Sequence, residues 1–159
     1  MNRKTKILIS LDGKQTDGEV CSRQNVLEDL KRESANIAKG SEVFEYQALE
    51  SRDSKMLEVW LHDAAMSIVS ALDRYVMDYY VSRSEGIKLS LSIPAQARQG
   101  VEQAIADAGA DFLGSMLLTK WLTIHKPEAA EVYASRAAEQ LTKLVTIADE
   151  RRRAMYYEL

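Results

Sequence analysis

The segment from Gly86 to Ile93 restricts the possible folds of this chain more than any other feature. Its sequence, GIKLSLSI, alternates strictly between apolar and polar residues, a pattern typical of a β-strand with one buried face. Longer stretches on both sides instead repeat their apolar residues every three or four positions, which is typical of amphipathic helices. A chain with both patterns is predicted to adopt a mainly α fold with a small β element.

Size and composition indicate one globular domain spanning residues 1–159. The chain contains 46% hydrophobic and 28% charged residues, and its 7 Gly and 2 Pro favour long helices. The single cysteine, Cys21, cannot form an internal disulfide, so a reducing compartment and a role as a small buried hydrophobe are expected. No apolar run is long enough for a signal peptide or a membrane span. We therefore expect a soluble protein with no membrane contact.

The apolar spacing and the turn residues predict the order of elements along the chain. We expect a helical bundle of three long helices and one shorter helix, with a small β-hairpin or a sheet of two or three strands. The predicted segments are a β segment with turns at 1–22, a short helix at 24–39 closed by Gly40, a long helix at 53–80, a strand at 86–93, long helices at 95–123 and 127–153, and a tail at 154–159.

The helix predicted at 95–123 contains two glycines well inside it, Gly109 and Gly114. Each glycine costs about 1 kcal/mol of helix stability relative to alanine. Two explanations are open. One is close approach between helices at Gly109 and Gly114, and the other is a break in the helix near Gly109.

Candidate catalytic residues are few. Glu58 and His62 are four residues apart on a predicted helix, but one such pair is far short of a metal site. His125 lies in a helix–helix connection, where a capping role is the better interpretation. Phosphate loops, nucleophile elbows and paired Cys-x-x-Cys motifs are absent from the sequence. The sequence therefore predicts no catalytic, cofactor-binding or metal-binding residues and no cofactor.

The C-terminal end of the last predicted helix is basic and contains tyrosines. Basic residues at a helix C-terminus stabilise the helix dipole, so no partner is required to explain them. Tyrosine and arginine are also enriched in interface hot spots, which favours a docking tail. Both interpretations remain open for the five candidate partner contacts: Arg151, Arg152, Arg153, Tyr156 and Tyr157.

Two parts of the chain resemble small proteins encoded in the structural gene modules of tailed bacteriophages. The order of predicted elements is similar over most of the chain, and the residues that carry the resemblance are KMLEVWLHDAAMSIVSAL from Lys55 to Leu72, Lys120-Trp121, Glu128-Ala129, Tyr133, Ala137-Ala138 and the Arg- and Tyr-containing end. This group is similar in size and layout to head-tail connector, or head completion, proteins. The resemblance implies a virion structural adaptor that forms a ring of identical copies between the portal and tail proteins of a phage.

That resemblance also implies a location and a set of partners. The protein would be in the bacterial host cytoplasm during assembly and then in the neck region of the virion. DNA would be at most passing cargo, and the acidic middle of the chain, with 6 Lys and Arg against 12 Asp and Glu over residues 41–112, suits a conduit that does not retain phosphate. The alternative is a small helical regulatory or DNA-associated protein, which requires the basic residues of positions 1–40 and Arg151–Arg153 to converge on one face.

Overall fold

The computed structural model of the chain describes residues 2–37 and 54–151. Within these residues it contains four helices and four strands, an α+β fold as the sequence predicts. Their order is β1 (Arg3–Ser10), β2 (Val20–Cys21), α1 (Val26–Ile37), α2 (Ser54–Ala71), β3 (Val76–Ser82), β4 (Gly86–Ile93), α3 (Val101–His125) and α4 (Pro127–Asp149).

The four strands form one mixed sheet in the order β2-β1-β4-β3. Strand β1 pairs antiparallel with β4 over its whole length, from Arg3 opposite Ile93 to Ser10 opposite Gly86. Strands β3 and β4 form an antiparallel hairpin, and the short β2 lies parallel to β1 beside Ile7 and Leu8. The sheet therefore has one strand more than the largest sheet that the sequence predicts.

The core lies between one face of this sheet and the helices. The strand signal at 86–93 is confirmed, and its four apolar side chains are at most 2% exposed. Helices α2 and α3 pack on this face, and α4 packs along α3 on the side away from the sheet. The helices therefore form layers on the sheet, because its apolar face must be covered, and they do not form a separate bundle.

The prediction of one long helix over 53–80 is wrong. Helix α2 ends at Ala71, and after a turn the chain continues as strand β3. The apolar residues Leu72, Tyr75 and Tyr79 extend the helical spacing, which is why the pattern suggested a longer helix. The segment VMDYYVS is rich in valine and tyrosine, however, and pairing with β4 gives these residues the strand geometry that they favour.

The other predicted helices differ from the observed ones at their ends. Helix α3 begins at Val101 and not near residue 95, because Gly100 has a left-handed φ of 78° and Ala97 forms a β-bridge with Arg151. Helix α4 begins at Pro127 as predicted but ends at Asp149 and not at residue 153. Helix α1, Val26–Ile37, lies inside the predicted range 24–39. The predicted stop at Gly40 and the predicted tail at 154–159 lie outside the described residues.

Helix α3 continues without a break through both of its inner glycines. A Cβ atom on Gly109 would lie 2.5 Å from Cδ1 of Ile9, so strand β1 approaches the helix closely at this position. A Cβ atom on Gly114 would lie 3.8 Å from Val26, which is an ordinary contact distance. The helix does not break near Gly109, and a close approach is found there, although the approaching element is strand β1 and not another helix.

Candidate protein interaction surface

Strand β3 is an edge strand with large exposed apolar side chains. It pairs with β4 on one side, and within the described parts of the chain no strand pairs with its other side. Met77 is 50% exposed, Tyr79 38% and Tyr80 63%. Exposed edge strands can pair with strands of other chains, and proteins usually protect them with lysine, proline or covering elements. The sequence of β3 contains neither lysine nor proline, and its protection is limited to the charge of Asp78 and the register shift beside it.

Helix α2 extends this apolar surface. Met66 is 48% exposed, and its Sδ atom accepts a hydrogen bond of 3.3 Å from the hydroxyl of Tyr79. Met56 and Val59, further toward the N-terminus on the same side of α2, are 41% and 58% exposed. We call Met66 together with Met77–Tyr80 of β3 the β3 edge surface.

The register of the hairpin determines which face each tyrosine occupies. Tyr79 is opposite Leu89, which is buried on the helix-covered face, and Tyr80 is opposite Lys88 on the other face. Tyr79 therefore reaches Met66 of α2, whereas Tyr80 and its alternate neighbour Asp78 lie on the opposite face, called the uncovered face because the helices do not pack on it. Near Leu8 and Cys21, both at most 2% exposed, the segment 12–19 covers this face. A register shift between Val76 and Asp78 interrupts simple alternation along β3.

The uncovered face of the sheet carries lysines of two kinds. Lys88 forms ion pairs with Glu85 at 3.2 Å and Glu19 at 3.6 Å, and hydrogen bonding to Glu85 raises the pKa of its ammonium group, with a smaller contribution from Glu19. Lys4 and Lys6 on β1 lie opposite Ser92 and Ser90 and are exposed. Neither of these two lysines forms an ion pair with another residue that the structure describes.

A polar cleft of about 170 Å³ lies between α1, α3 and α4. On its floor, burial raises the pKa of the Asp111 carboxyl above its ordinary value, although Lys143 opposes this shift. At its rim, the Arg136 guanidinium lies 4.7 Å above the Tyr133 ring and 3.7 Å from a Glu33 oxygen. Sequence spacing did not identify this cleft because α1 is far from α3 and α4 in the sequence and lies beside them only in the folded chain.

Of the five predicted partner contacts, only Arg151 is among the described residues. Its guanidinium donates hydrogen bonds to the carbonyls of Ala148 and Glu150 at 3.1 and 3.2 Å, and to the Tyr75 hydroxyl at 3.2 Å. These contacts are those of a side chain that caps the C-terminus of α4. Docking by the other four residues, Arg152, Arg153, Tyr156 and Tyr157, stays a prediction because they lie outside the described range.

The remaining candidate residues have ordinary surroundings. Cys21 is 1% exposed, as expected for a small buried hydrophobe. His62 and Glu58 are exposed on α2, and the ring of His125 lies 4.6 Å from that of Trp121. Over residues 2–37 and 54–151, no three His, Cys, Asp or Glu side chains are grouped so that they could hold a metal ion.

Comparison with known proteins adds no constraint on function. Searches of protein-family models, curated proteins and solved structures found no match to this chain. In the part of the chain that the structure describes, no helix is both long enough and apolar enough to cross a bilayer. The surfaces described above are therefore the basis for a functional proposal.

Proposed function

We propose that this chain is a structural adaptor that acts by protein–protein assembly and not by catalysis. The observation that carries the proposal is the β3 edge surface, an unpaired strand edge that exposes Met77, Tyr79 and Tyr80. Tyr79 lies beside Met66 on the helix-covered face, and Tyr80 lies on the opposite face. Methionine and tyrosine are enriched in the buried centres of protein interfaces. A partner strand beside β3 would satisfy the free backbone groups of β3 and contact its exposed side chains on both faces of the sheet.

The more specific role comes from the resemblance to phage structural proteins. The adaptor would be a head-tail connector of a tailed bacteriophage, assembled in the host cytoplasm and then located in the virion neck. Its partners would be copies of itself in a ring and the portal and tail proteins, with DNA only as passing cargo. The layered body, in which α3 lies between the sheet and α4, would act as a rigid wedge in such a ring.

The alternative, a DNA-associated protein, is less favoured by the distribution of basic residues. Arg3 forms an ion pair with Glu102 at 2.5 Å, and Arg23 forms one with Asp107 at 2.6 Å. Arg151 is engaged with backbone carbonyls and with Tyr75. These three arginines are therefore partly neutralised or occupied, which leaves less positive charge for phosphate contacts.

Light scattering on the purified chain tests the proposal. We expect either a closed ring of several copies or a monomer that assembles when a phage portal protein is added. The double substitution Met77→Lys with Tyr80→Lys should prevent assembly, because it places charge on the β3 edge surface. Val132→Lys is the matched control, since Val132 is 62% exposed on α4.

Two results would argue against an adaptor. One is a stable, discrete dimer with a two-fold interface, which leaves no surface for ring growth. The other is an assembly that the double lysine variant forms as readily as the control variant does. Salt-dependent retention on DNA by the unmodified chain would instead support the alternative function.

A further inference from the structure

We infer that neighbouring copies join head to tail by strand pairing, with β3 of one copy beside residues Arg3–Lys6 of the next. This inference rests on the proposed function and specifies the contact that builds the ring. The sheet has an unpaired edge at each end, within the described residues. One is β3, and the other is the first half of β1, because β2 pairs only with Ile7 and Leu8.

The charges on the two free edges are complementary. On the uncovered face of the sheet, β1 presents Lys4 and Lys6, and β3 presents Asp78 and Tyr80. Among the described residues, none of the three charged side chains forms an ion pair, although Asp78 accepts a hydrogen bond from the backbone N–H of Tyr79 at 2.9 Å. Opposite charges on adjacent strands stabilise a sheet by roughly 0.2–1 kcal/mol for each pair.

The orientation of the strands allows the sheet to continue from one copy into the next. Both β1 and β3 are antiparallel to β4, so they are parallel to each other. In a head-to-tail assembly the β3 edge would therefore add to the next β1 as a parallel neighbour, and the uncovered faces of the two sheets would lie on the same side.

Two registers keep side chains of the same face together, and they differ in how far β3 overlaps β2. Side chains on the same face must be neighbours, so Asp78 would lie beside Lys4 or Lys6 of the next copy. With Asp78 beside Lys6, Tyr80 would lie beside Leu8, where β2 already pairs. Asp78 beside Lys4 places Tyr80 beside Lys6, so only Val81 and Ser82 reach Ile7 and Leu8, and these last two residues of β3 must turn away from the β1 edge. This register is favoured because it overlaps β2 less.

The symmetry of this contact matches the role of a ring adaptor. It joins two different surfaces, one from each copy, and such heterologous contacts form a ring when the rotation between copies closes and an open filament when it does not. Pairing of two β3 edges across a two-fold axis centred on Tyr79 would place Asp78 beside Tyr80 of the other copy. That arrangement leaves Lys4 and Lys6 without an opposite charge, so the head-to-tail contact is favoured.

Disulfide trapping distinguishes these arrangements. Lys6→Cys and Tyr80→Cys would be made singly and together in the full chain and oxidised at high protein concentration. Within one copy the two positions lie on strands separated by β4, about 10 Å apart, which is too far for an internal disulfide. The native Cys21 is 1% exposed and gives little background.

We expect the double variant to form a ladder of cross-linked oligomers, and an equal mixture of the two single variants to stop at dimers. Lys6→Cys combined with Val132→Cys is the matched control and should form no ladder, because Val132 lies on α4. Asp78→Lys should lower the cross-linking yield of the Cys pair about tenfold, and Lys4→Asp in the same chain should restore it.

Other outcomes would overturn the inference. Efficient cross-linking of Tyr80→Cys or Tyr79→Cys alone would show that two β3 edges pair with each other. Absence of cross-links in the double variant would show that these edges do not meet. If the chain still assembled on the portal protein in that case, the adaptor function would stand and only the strand contact would be wrong.

Discussion

Gly109 shows how one missing side chain sets the distance between a helix and the sheet. A Cβ atom at this position would lie 2.5 Å from Cδ1 and 3.0 Å from Cγ1 of Ile9, whose side chain is fully buried. Glycine lowers helix propensity, but here it allows β1 to pack directly against α3. The sequence places a helix-destabilising glycine inside a predicted helix, and the contact with Ile9 in the structure explains why a larger residue does not fit there.

Substitution of the two inner glycines of α3 should have opposite effects. Gly109→Ala should lower the free energy of unfolding by about 1–2 kcal/mol, because Ile9 must shift within a packed core. Gly114→Ala is the matched control and should raise it by about 0.5–1 kcal/mol, because its Cβ meets Val26 at 3.8 Å, an ordinary contact. Urea denaturation measures both changes. Equal stabilisation by the two substitutions would contradict the close approach at Gly109.

Asp111 provides a pH-dependent test of the cleft between α1, α3 and α4. Burial raises its pKa in the folded state above the ordinary value of 3.8, so the folded protein holds its charged form at a cost. This cost is fully present above the folded pKa and disappears below the unfolded pKa. Asp111→Asn should therefore be more stable than the parent at pH 7, and the two proteins should converge as the pH falls toward 3.8. A stability difference that does not change with pH would contradict this assignment.

At the scale of elements, the sequence predicted interior elements better than edge elements. The strand at Gly86–Ile93 is paired on both sides and buried on one face, so its side chains alternate clearly. Strand β3 is paired on one side only and contains a register shift, and most of its residues are exposed. Burial therefore does not make apolar and polar residues alternate along β3. Tyr79 instead continues the three- and four-residue spacing of the apolar residues in α2, which is the pattern of a helix.

Arg151, which the sequence suggested as a partner contact, caps the C-terminal end of α4 in the structure. Arg151→Ala should lower the melting temperature by about 2–4 °C, because the carbonyls of Ala148 and Glu150 and the Tyr75 hydroxyl lose a donor. Arg98→Ala is the control, since its ion pair with Glu150 is about half exposed and should contribute less than about 0.5 kcal/mol. Thermal unfolding followed by circular dichroism measures both. Equal melting temperatures for the two variants would contradict a capping role for Arg151.

At the scale of the whole molecule, the proposed contact between copies uses the two free edges of one sheet. Chain order does not reveal them, because β1 and β3 are separated by most of the first half of the chain. The pairing of β4 with both strands places them on opposite sides of the sheet. The polar cleft likewise forms only when α1 packs beside α3 and α4, which are far from α1 in the sequence.

The sequence by itself determined the α+β class, the strand at 86–93, the buried stripes of the helices and the start of α4 at Pro127. These features depend on local spacing and on residues such as proline, whose effects act within a few positions. The tertiary structure decided the end of α2 at Ala71, the fourth strand and the unpaired edges. Those features depend on pairing between residues far apart in the chain, so the local pattern around Tyr79 was compatible with either a helix or a strand until β4 lay beside it.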